Sequence, residues 1–292
     1  MIVHLVDGTY ELFRHYYAVP KHVNRHGKEV AAARSVVASM FSLLSEGATH
    51  IAVATDHVIE SFRNLLWPGY KDGSGIDPDL RSQFELLEDA LKAAGFKVWP
   101  MIEYEADDAL AAGAGLFAAD SRVEKVFVCT PDKDLAQCVR GDRIVQFDRR
   151  RKLLFDEKGV TQKFGVLPES IPDYLALVGD SADGYPGLPG WGAKSASVVL
   201  ARFRHLEDIP ADFRDWRLPV KGAQGLASTL AKYWDQAHLF RLLATLVTDG
   251  PVVGKLDELK WAGTLPEFKA ICETLDAPEM MKRAESLLSD SV

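Results

Sequence analysis

The chain has 292 residues, 47% hydrophobic and 26% charged, enough for one large domain or two unequal ones and typical of an ordered globular protein. No apolar run approaches the ~20 residues a membrane span needs, and Ile2–Val6 runs straight into Asp7-Gly8, so it reads as a buried strand and not as a signal peptide. The net charge of −8 excludes a simple basic nucleic-acid-binding surface unless many acids are gathered in one place and neutralised there. Three cysteines, Cys129, Cys138 and Cys272, form neither a CxxC pair nor an even framework and point to a reducing cytoplasm.

Up to about residue 150 the chain alternates short apolar runs with helical patterns. Ile2–Val6 predicts a strand, Glu29–Glu46 a helix, and Ile51–Ala54 a second strand. Pro78–Ala94 predicts a helix, Phe96–Pro100 a strand, Ala106–Ala119 a helix and Val126–Cys129 a strand. Ile144–Phe147 adds a further strand before a turn at Asp148–Lys152, where Arg149, Arg150, Arg151 and Lys152 read as solvated. Strands alternating with helices imply βαβ units, hence an α/β fold with a mostly parallel central sheet flanked by helices.

The texture then changes. Pro168–Leu177 is helical, a Gly/Pro-dense turn covers Asp183–Gly192, and Ala193–Phe203 is helical again. Residues 204–225 read as a connection, Gln224–Val247 as one long helix, and the tail beyond 262 as amphipathic. The expected division is an α/β core over 1–160, a helical part over 161–262 and a helical tail over 263–292.

Four predicted strands run directly into carboxylates. They lead to Asp7, to Asp56, to Glu105-Ala106-Asp107-Asp108, and to Asp132-Lys133-Asp134. In an open parallel sheet, ligands sit beyond the carboxyl ends of the strands. Any one of these acids can be explained as a helix cap. Four strands doing the same is harder to explain that way, because clustered like charges repel unless a cation resolves them. Oxygen-only ligands select hard ions such as Mg²⁺ or Mn²⁺, and two such ions suit phosphodiester hydrolysis by activating water and stabilising charge. Asp180 and Asp183 precede the glycine-rich turn and extend the acid set to nine. Setting those nine aside leaves 33 acids against 34 bases.

The turn Gly187–Ser195 joins two helices, and backbone N–H groups at Gly190 and Gly192, with Lys194 and Ser195 opening the next helix, can hold a phosphate. A nucleotide-binding Walker A loop is excluded, because Ala193 separates Gly192 from Lys194 and the preceding segment reads as helical. The eight histidines show no metal-ligand spacing.

These segments together resemble the 5′ nuclease (flap endonuclease) family, and most closely the 5′–3′ exonuclease domain of bacterial DNA polymerase I. The likeness is carried by Leu5-Val6-Asp7-Gly8 with Phe13-Arg14, Phe62-Arg63, Tyr70-Lys71, and Asp79-Leu80-Arg81 with Gln83. It continues through Glu105–Asp108, Thr130–Asp134, Tyr174–Asp180, Lys194–Ala196, Thr248-Asp249 and Trp261. The resemblance implies one metal around Asp7, Asp56, Glu105, Asp107 and Asp108, and a second toward Asp132, Asp134, Asp180 and Asp183. It implies scissile-phosphate contacts by Lys71 and Arg14, and DNA contacts by Arg63, Tyr70, Arg81, Gly190, Gly192, Lys194 and Ser195. It further implies a helical arch over about 61–85, and a helix–turn–helix that grips duplex DNA and holds K⁺. Three departures stand out: Tyr70-Lys71 is followed by the acidic, glycine-rich Asp72–Asp77, Asp183-Gly184-Tyr185-Pro186 replaces Asp-Asn-Ile-Pro, and Thr55-Asp56 replaces Phe-Asp.

The expected activity is therefore metal-dependent 5′–3′ exonuclease or flap endonuclease cleavage of DNA bearing a 5′ flap or single-stranded 5′ end, in replication or repair. It needs no nucleotide cofactor and no membrane. The alternative is a branched-DNA-binding protein of the same fold that does not cut. A haloacid-dehalogenase-type phosphatase, suggested by Asp7-Gly8-Thr9, lacks the second Asp that chemistry needs, because Leu5 occupies its position.

Overall fold

The apolar runs become strands, and those that begin at Ile2, His50 and Ile144 each end on a carboxylate, Asp7, Asp56 and Asp148. The computed structural model describes residues 1–289. In chain order the strands are β1 (Ile2–Asp7), β2 (His50–Asp56), β3 (Lys97–Met101), β4 (Lys125–Cys129), β5 (Ile144–Asp148) and β6 (Leu153–Phe155). The helices are α1 (Gly8–Ala18), α2 (Ala31–Ser45), α3 (Arg63–Leu66), α4 (Pro78–Arg81), α5 (Gln83–Ala93), α6 (Ala106–Ala118) and α7 (Glu157–Phe164). They continue with α8 (Ile171–Val178), α9 (Ala193–Phe203), α10 (Ala223–Lys232), α11 (Trp234–Ala244), α12 (Phe268–Thr274) and α13 (Glu279–Ser289). Among the described residues, no helix is long and apolar enough to cross a membrane.

The chain folds as two units. The first comprises Met1–Ile59, Gly73–Thr130 and Thr248–Val292; the second comprises Glu60–Asp72 and Pro131–Val247. The second unit thus joins the short segment 60–72 to residues 131–247.

In the first unit, four strands lie in the order β3-β2-β1-β4, all parallel. The Val/Ile/Leu/Ala-rich β1 and β2, at the centre of this set, are buried on both faces, as parallel sheets require, whereas β3 is half-buried. The register sets Val6 beside Cys129, Asp7 beside Ala54, and Asp56 beside Met101. Parallel strands end together, so the terminal acids share one edge.

The second unit holds the antiparallel pair β5-β6 and a helical core built on Tyr174, Leu177, Tyr185, Trp191, Phe240 and Leu243. The expected turn at Asp148–Lys152 is the hairpin connection, with Lys152 at φ 55°.

Several elements differ from expectation. Helix α1 has no counterpart among the expected elements; Asp7 caps it by accepting the Tyr10 N–H at 2.8 Å. The long helix over 224–247 is broken at Tyr233 (φ −110°, ψ 30°) into α10 and α11. Apolar spacing continues across that break, while Tyr233 and Trp234 both pack on the core. Pro78–Ala94 is likewise split, because the chain closes at Ser82, whose hydroxyl donates to the Asp79 carbonyl at 2.9 Å. Residues 61–85, expected to form an arch, contain the four-residue helices α3 and α4 and the start of α5.

Candidate metal centres

The acids of the first unit lie at the sheet edge, and Asp7, Asp56 and Asp108 accept hydrogen bonds from local donors. Asp7, the last residue of β1, accepts Tyr10 N–H through Oδ1 and the Thr130 hydroxyl through Oδ2 at 3.0 Å. Asp56, the last residue of β2, accepts Ala106 N–H at 2.8 Å, and its own N–H donates to Thr9 Oγ1 at 2.8 Å. Glu105 is the N-cap of α6, and buried Asp108 accepts the Glu105 N–H at 3.0 Å. Carboxylates at an N-terminal first turn also meet the positive end of the helix dipole. Asp107 lies half-buried in the same turn. Capping explains Asp7, Glu105 and Asp108 in part, and all five acids lie at strand ends or a helix start.

The acids of the second unit are arranged differently. Carboxylate oxygens of Asp134, Asp180 and Asp183 all lie within 4.8 Å of one another, and the three residues are only 5, 2 and 8% exposed. Asp180 and Asp183 share a tight loop: Asp180 N–H donates to Tyr185 O at 2.8 Å and Tyr185 N–H returns to Asp180 O at 3.0 Å. Gly184 closes the loop at φ 84°, and a Cβ there would meet the Gly69 carbonyl at 2.0 Å. The Trp67 indole N–H donates to Gly184 O at 3.1 Å, and Lys71 N–H donates to Asp183 O at 3.0 Å, so residues 67–71 clip the acid loop in place. Asp132 caps the start of the 3₁₀ turn Asp134–Cys138 by accepting Asp134 N–H at 3.1 Å.

Two lysines answer this charge. Lys133 Nζ lies 2.7 Å from Asp180 and Lys71 Nζ 3.0 Å from Asp183. Burial pulls the Lys133 ammonium down, but the Asp180 carboxylate outweighs it and the net shift is upward. Asp134 is left the least compensated. Its Oδ1 is buried without a hydrogen-bond partner, and burial, then the Asp132, Asp183 and Asp180 carboxylates, push its carboxyl well above the usual range against the opposing charge of Lys71. Burial and the same carboxylates raise the Tyr185 phenol, whose buried hydroxyl also lacks a partner.

This donor set fits a hard divalent cation. All ligands are carboxylate oxygens, and their spacing matches oxygens about 2.0–2.4 Å from a shared ion. An unpartnered buried oxygen is the feature such an ion would satisfy.

The remaining expected site residues fall in several settings. Arg14 pairs with buried Glu11 on α1 and lies 2.7 Å from His15 Nε2. Arg63 is buried and donates to the Leu243 carbonyl at 2.8 Å and the Thr245 carbonyl at 3.1 Å, which is a core-building placement and not a surface one. The Tyr70 ring belongs to the core of the second unit. Arg81 is exposed at the end of α4. Gly190 turns at φ 82°, Gly192 caps α9 with its N–H on Ser195 Oγ at 3.1 Å, and Lys194 is exposed in the first turn.

Lys133, Thr9 and Thr130 were missed as parts of the site. Lys133 had a signal, because it lies between Asp132 and Asp134; the threonines had none.

Residues 2–165 match the family model for the 5′–3′ exonuclease N-terminal resolvase-like domain, and residues 166–267 match that for the 5′–3′ exonuclease C-terminal SAM fold. The chain is 34% identical over 252 residues to the 5′–3′ exonuclease of Buchnera aphidicola subsp. Baizongia pistaciae, covering 84% of this chain and 81% of that one. It is 35% identical over 265 residues to DNA polymerase I of Pseudomonas aeruginosa, covering 87% of this chain but only 28% of that polymerase. Among solved structures, the T5 5′-exonuclease with bound zinc superposes with a TM-score of 0.67 at 21% identity over 99% of both chains. Flap endonuclease-1 from Methanococcus jannaschii superposes at 0.58 and 16% identity, over 100% of this chain and 93% of that one. At these identities the structural likeness speaks for the fold.

Proposed function

The chain belongs to the 5′–3′ exonuclease family, and from that premise we propose that it is a structure-specific 5′ nuclease that hydrolyses DNA phosphodiesters with two or more Mg²⁺ or Mn²⁺ ions. The observation that carries this reading is the buried Asp134–Asp180–Asp183 cluster with its unpartnered oxygen. Asp132 completes that set, and Asp7, Asp56, Glu105, Asp107 and Asp108 hold cations at the sheet edge. Divalent ions in such sites supply charge neutralisation for the phosphate and activation of water for its hydrolysis.

The chain's own residues bind and orient the DNA. Lys71, held at Asp183 and over the Tyr70 ring, would offer its ammonium to the scissile phosphate. Arg14, fixed by Glu11, offers a second cation. The start of α9, with Gly190, Gly192, Ser195 and exposed Lys194, receives duplex phosphates through backbone N–H groups and a lysine, and the preceding turn offers carbonyls to K⁺. Exposed Arg81 adds a further phosphate contact. The substrate is DNA with a 5′ flap or single-stranded 5′ end, the setting is replication or repair, and the cysteine usage fits the cytoplasm.

Incubation of end-labelled 5′-flap, pseudo-Y and nicked duplexes with Mg²⁺ or with EDTA tests this reading. Cleavage in Mg²⁺ alone is expected, mapped near the junction. Binding of the flap with no cleavage in Mg²⁺ or Mn²⁺ establishes the non-cutting alternative instead.

A further inference from the structure

Behind the sheet edge of the first unit lies a second, buried acidic residue that no step above has used. Glu88 on α5 is 3% exposed. The Thr55 hydroxyl donates to its Oε1 at 2.8 Å, and His57 Nδ1 lies 3.0 Å from its Oε2. Lys92, one turn along the same helix, stands 3.7 Å from Oε2. One carboxylate therefore holds the two side chains on either side of Asp56.

The geometry of an extended chain gives that arrangement a consequence. Within β2 successive side chains point to opposite faces, so Asp56 takes the face opposite Thr55, and His57, in the bend after the strand, returns to the Thr55 side through its contact with Glu88. With Thr55 and His57 drawn toward α5, the Asp56 carboxylate is turned to α6, where it accepts the Ala106 N–H at 2.8 Å. The backbone at this point is pinned as well, by Asp56 N–H on Thr9 Oγ1 and by His57 N–H on Met101 O at 2.9 Å. A buried carboxylate is costly unless its oxygens are occupied, and here both are occupied by the neighbours of a single residue.

We propose that Glu88 is a positioning residue for Asp56: through Thr55 and His57 it fixes the face and angle at which Asp56 presents its oxygens to a divalent cation. The proposal rests on the reading of Asp56 as a metal ligand. Glu88 touches neither cation nor DNA.

The test uses the full chain and three variants, Glu88→Gln, Glu88→Leu and Asp56→Ala. Mn²⁺ binding without DNA is followed by electron paramagnetic resonance, and cleavage kinetics are measured on a 5′-flap duplex. Glutamine keeps one acceptor for Thr55 and a polar partner for His57, whereas leucine fills the volume and keeps neither. Glu88→Leu is expected to weaken Mn²⁺ binding about tenfold and to lower kcat about tenfold or more, with KM for DNA within about twofold of the parent. Glu88→Gln is expected to recover most of both losses. Parent-like Mn²⁺ binding and kcat in a folded Glu88→Leu overturn the proposal, as does a Glu88→Gln no better than Glu88→Leu. If Asp56→Ala binds Mn²⁺ as the parent does, the ligand reading of Asp56 fails and the positioning role fails with it. The separate comparison of the parent in Mg²⁺ and EDTA still stands or falls by itself.

Discussion

The two units carry carboxylates in opposite states of satisfaction. In the first, Asp7, Asp56 and Asp108 already accept hydrogen bonds from Tyr10, Thr130, Ala106 and Glu105, and they help to start α1 and α6. In the second, Asp134, Asp180 and Asp183 crowd together, two lysines compensate part of the charge, and one oxygen of Asp134 has no partner. A fold can build acids into its framework, where they arrive oriented, or can concentrate them at a cost that a ligand later relieves. This chain does both, and the two groups should answer differently to the same substitution.

The largest effect is expected at Asp134. Asp134→Asn should lower kcat by about 10³, equivalent to about 4 kcal/mol of transition-state stabilisation. In EDTA its unfolding midpoint in urea should equal or exceed the parent's, because a repelled, buried charge has been removed. A clear loss of metal-free stability would place Asp134 with the framework acids and break the contrast.

Arg63 sharpens the comparison from within the second unit, as a buried charge that is well supplied with partners. Arg63→Leu strands the Leu243 and Thr245 carbonyls and should cost about 3 kcal/mol in urea unfolding. DNA affinity of the variant that remains folded should be close to the parent's. A drop in affinity without a drop in stability would return Arg63 to the DNA surface.

Asp108→Ala should reduce cleavage as Asp134→Asn does, yet also destabilise the metal-free protein by about 2 kcal/mol, because the Glu105 N–H loses its acceptor at the start of α6. Equal metal-free stability of the two variants would erase the distinction between the units.

The smallest effect concerns pH. The Arg241 guanidinium holds the Glu207 carboxyl at about 2, below the ~4.3 expected when unfolded. A depressed acid contributes stability above the unfolded value, and that contribution is lost as pH falls from about 4.3 toward 2. Glu207→Gln should flatten this slope by less than about 1 kcal/mol, since the side chain is half-exposed. Unchanged acid unfolding would mean that the pair contributes nothing.

Much of this is legible in the sequence. Apolar runs that stop at Asp7 and Asp56 announce parallel strands with acids at their carboxyl ends, because strand periodicity and charge are local signals. Elements that depend on distant packing were not legible. The helix over 224–247 keeps its apolar spacing while the Tyr233 and Trp234 rings accompany a break, and α1 hides behind a cap that doubles as a strand end. Site residues divide in the same way. The nine acids were visible as a pattern, but the pairing of Lys71 with Asp183 and Lys133 with Asp180 requires loops to meet. Arg63 and Glu88 look like surface charges in the sequence, and only burial reveals them as internal.

The most direct measurement of the central claim is the thermal unfolding midpoint of the parent and Asp134→Asn across a Mg²⁺ titration begun in EDTA. The account predicts a saturable rise for the parent, as binding to the folded state requires, and a much smaller rise for the variant. A parent midpoint that does not move, or a variant that rises as far as the parent, would contradict it.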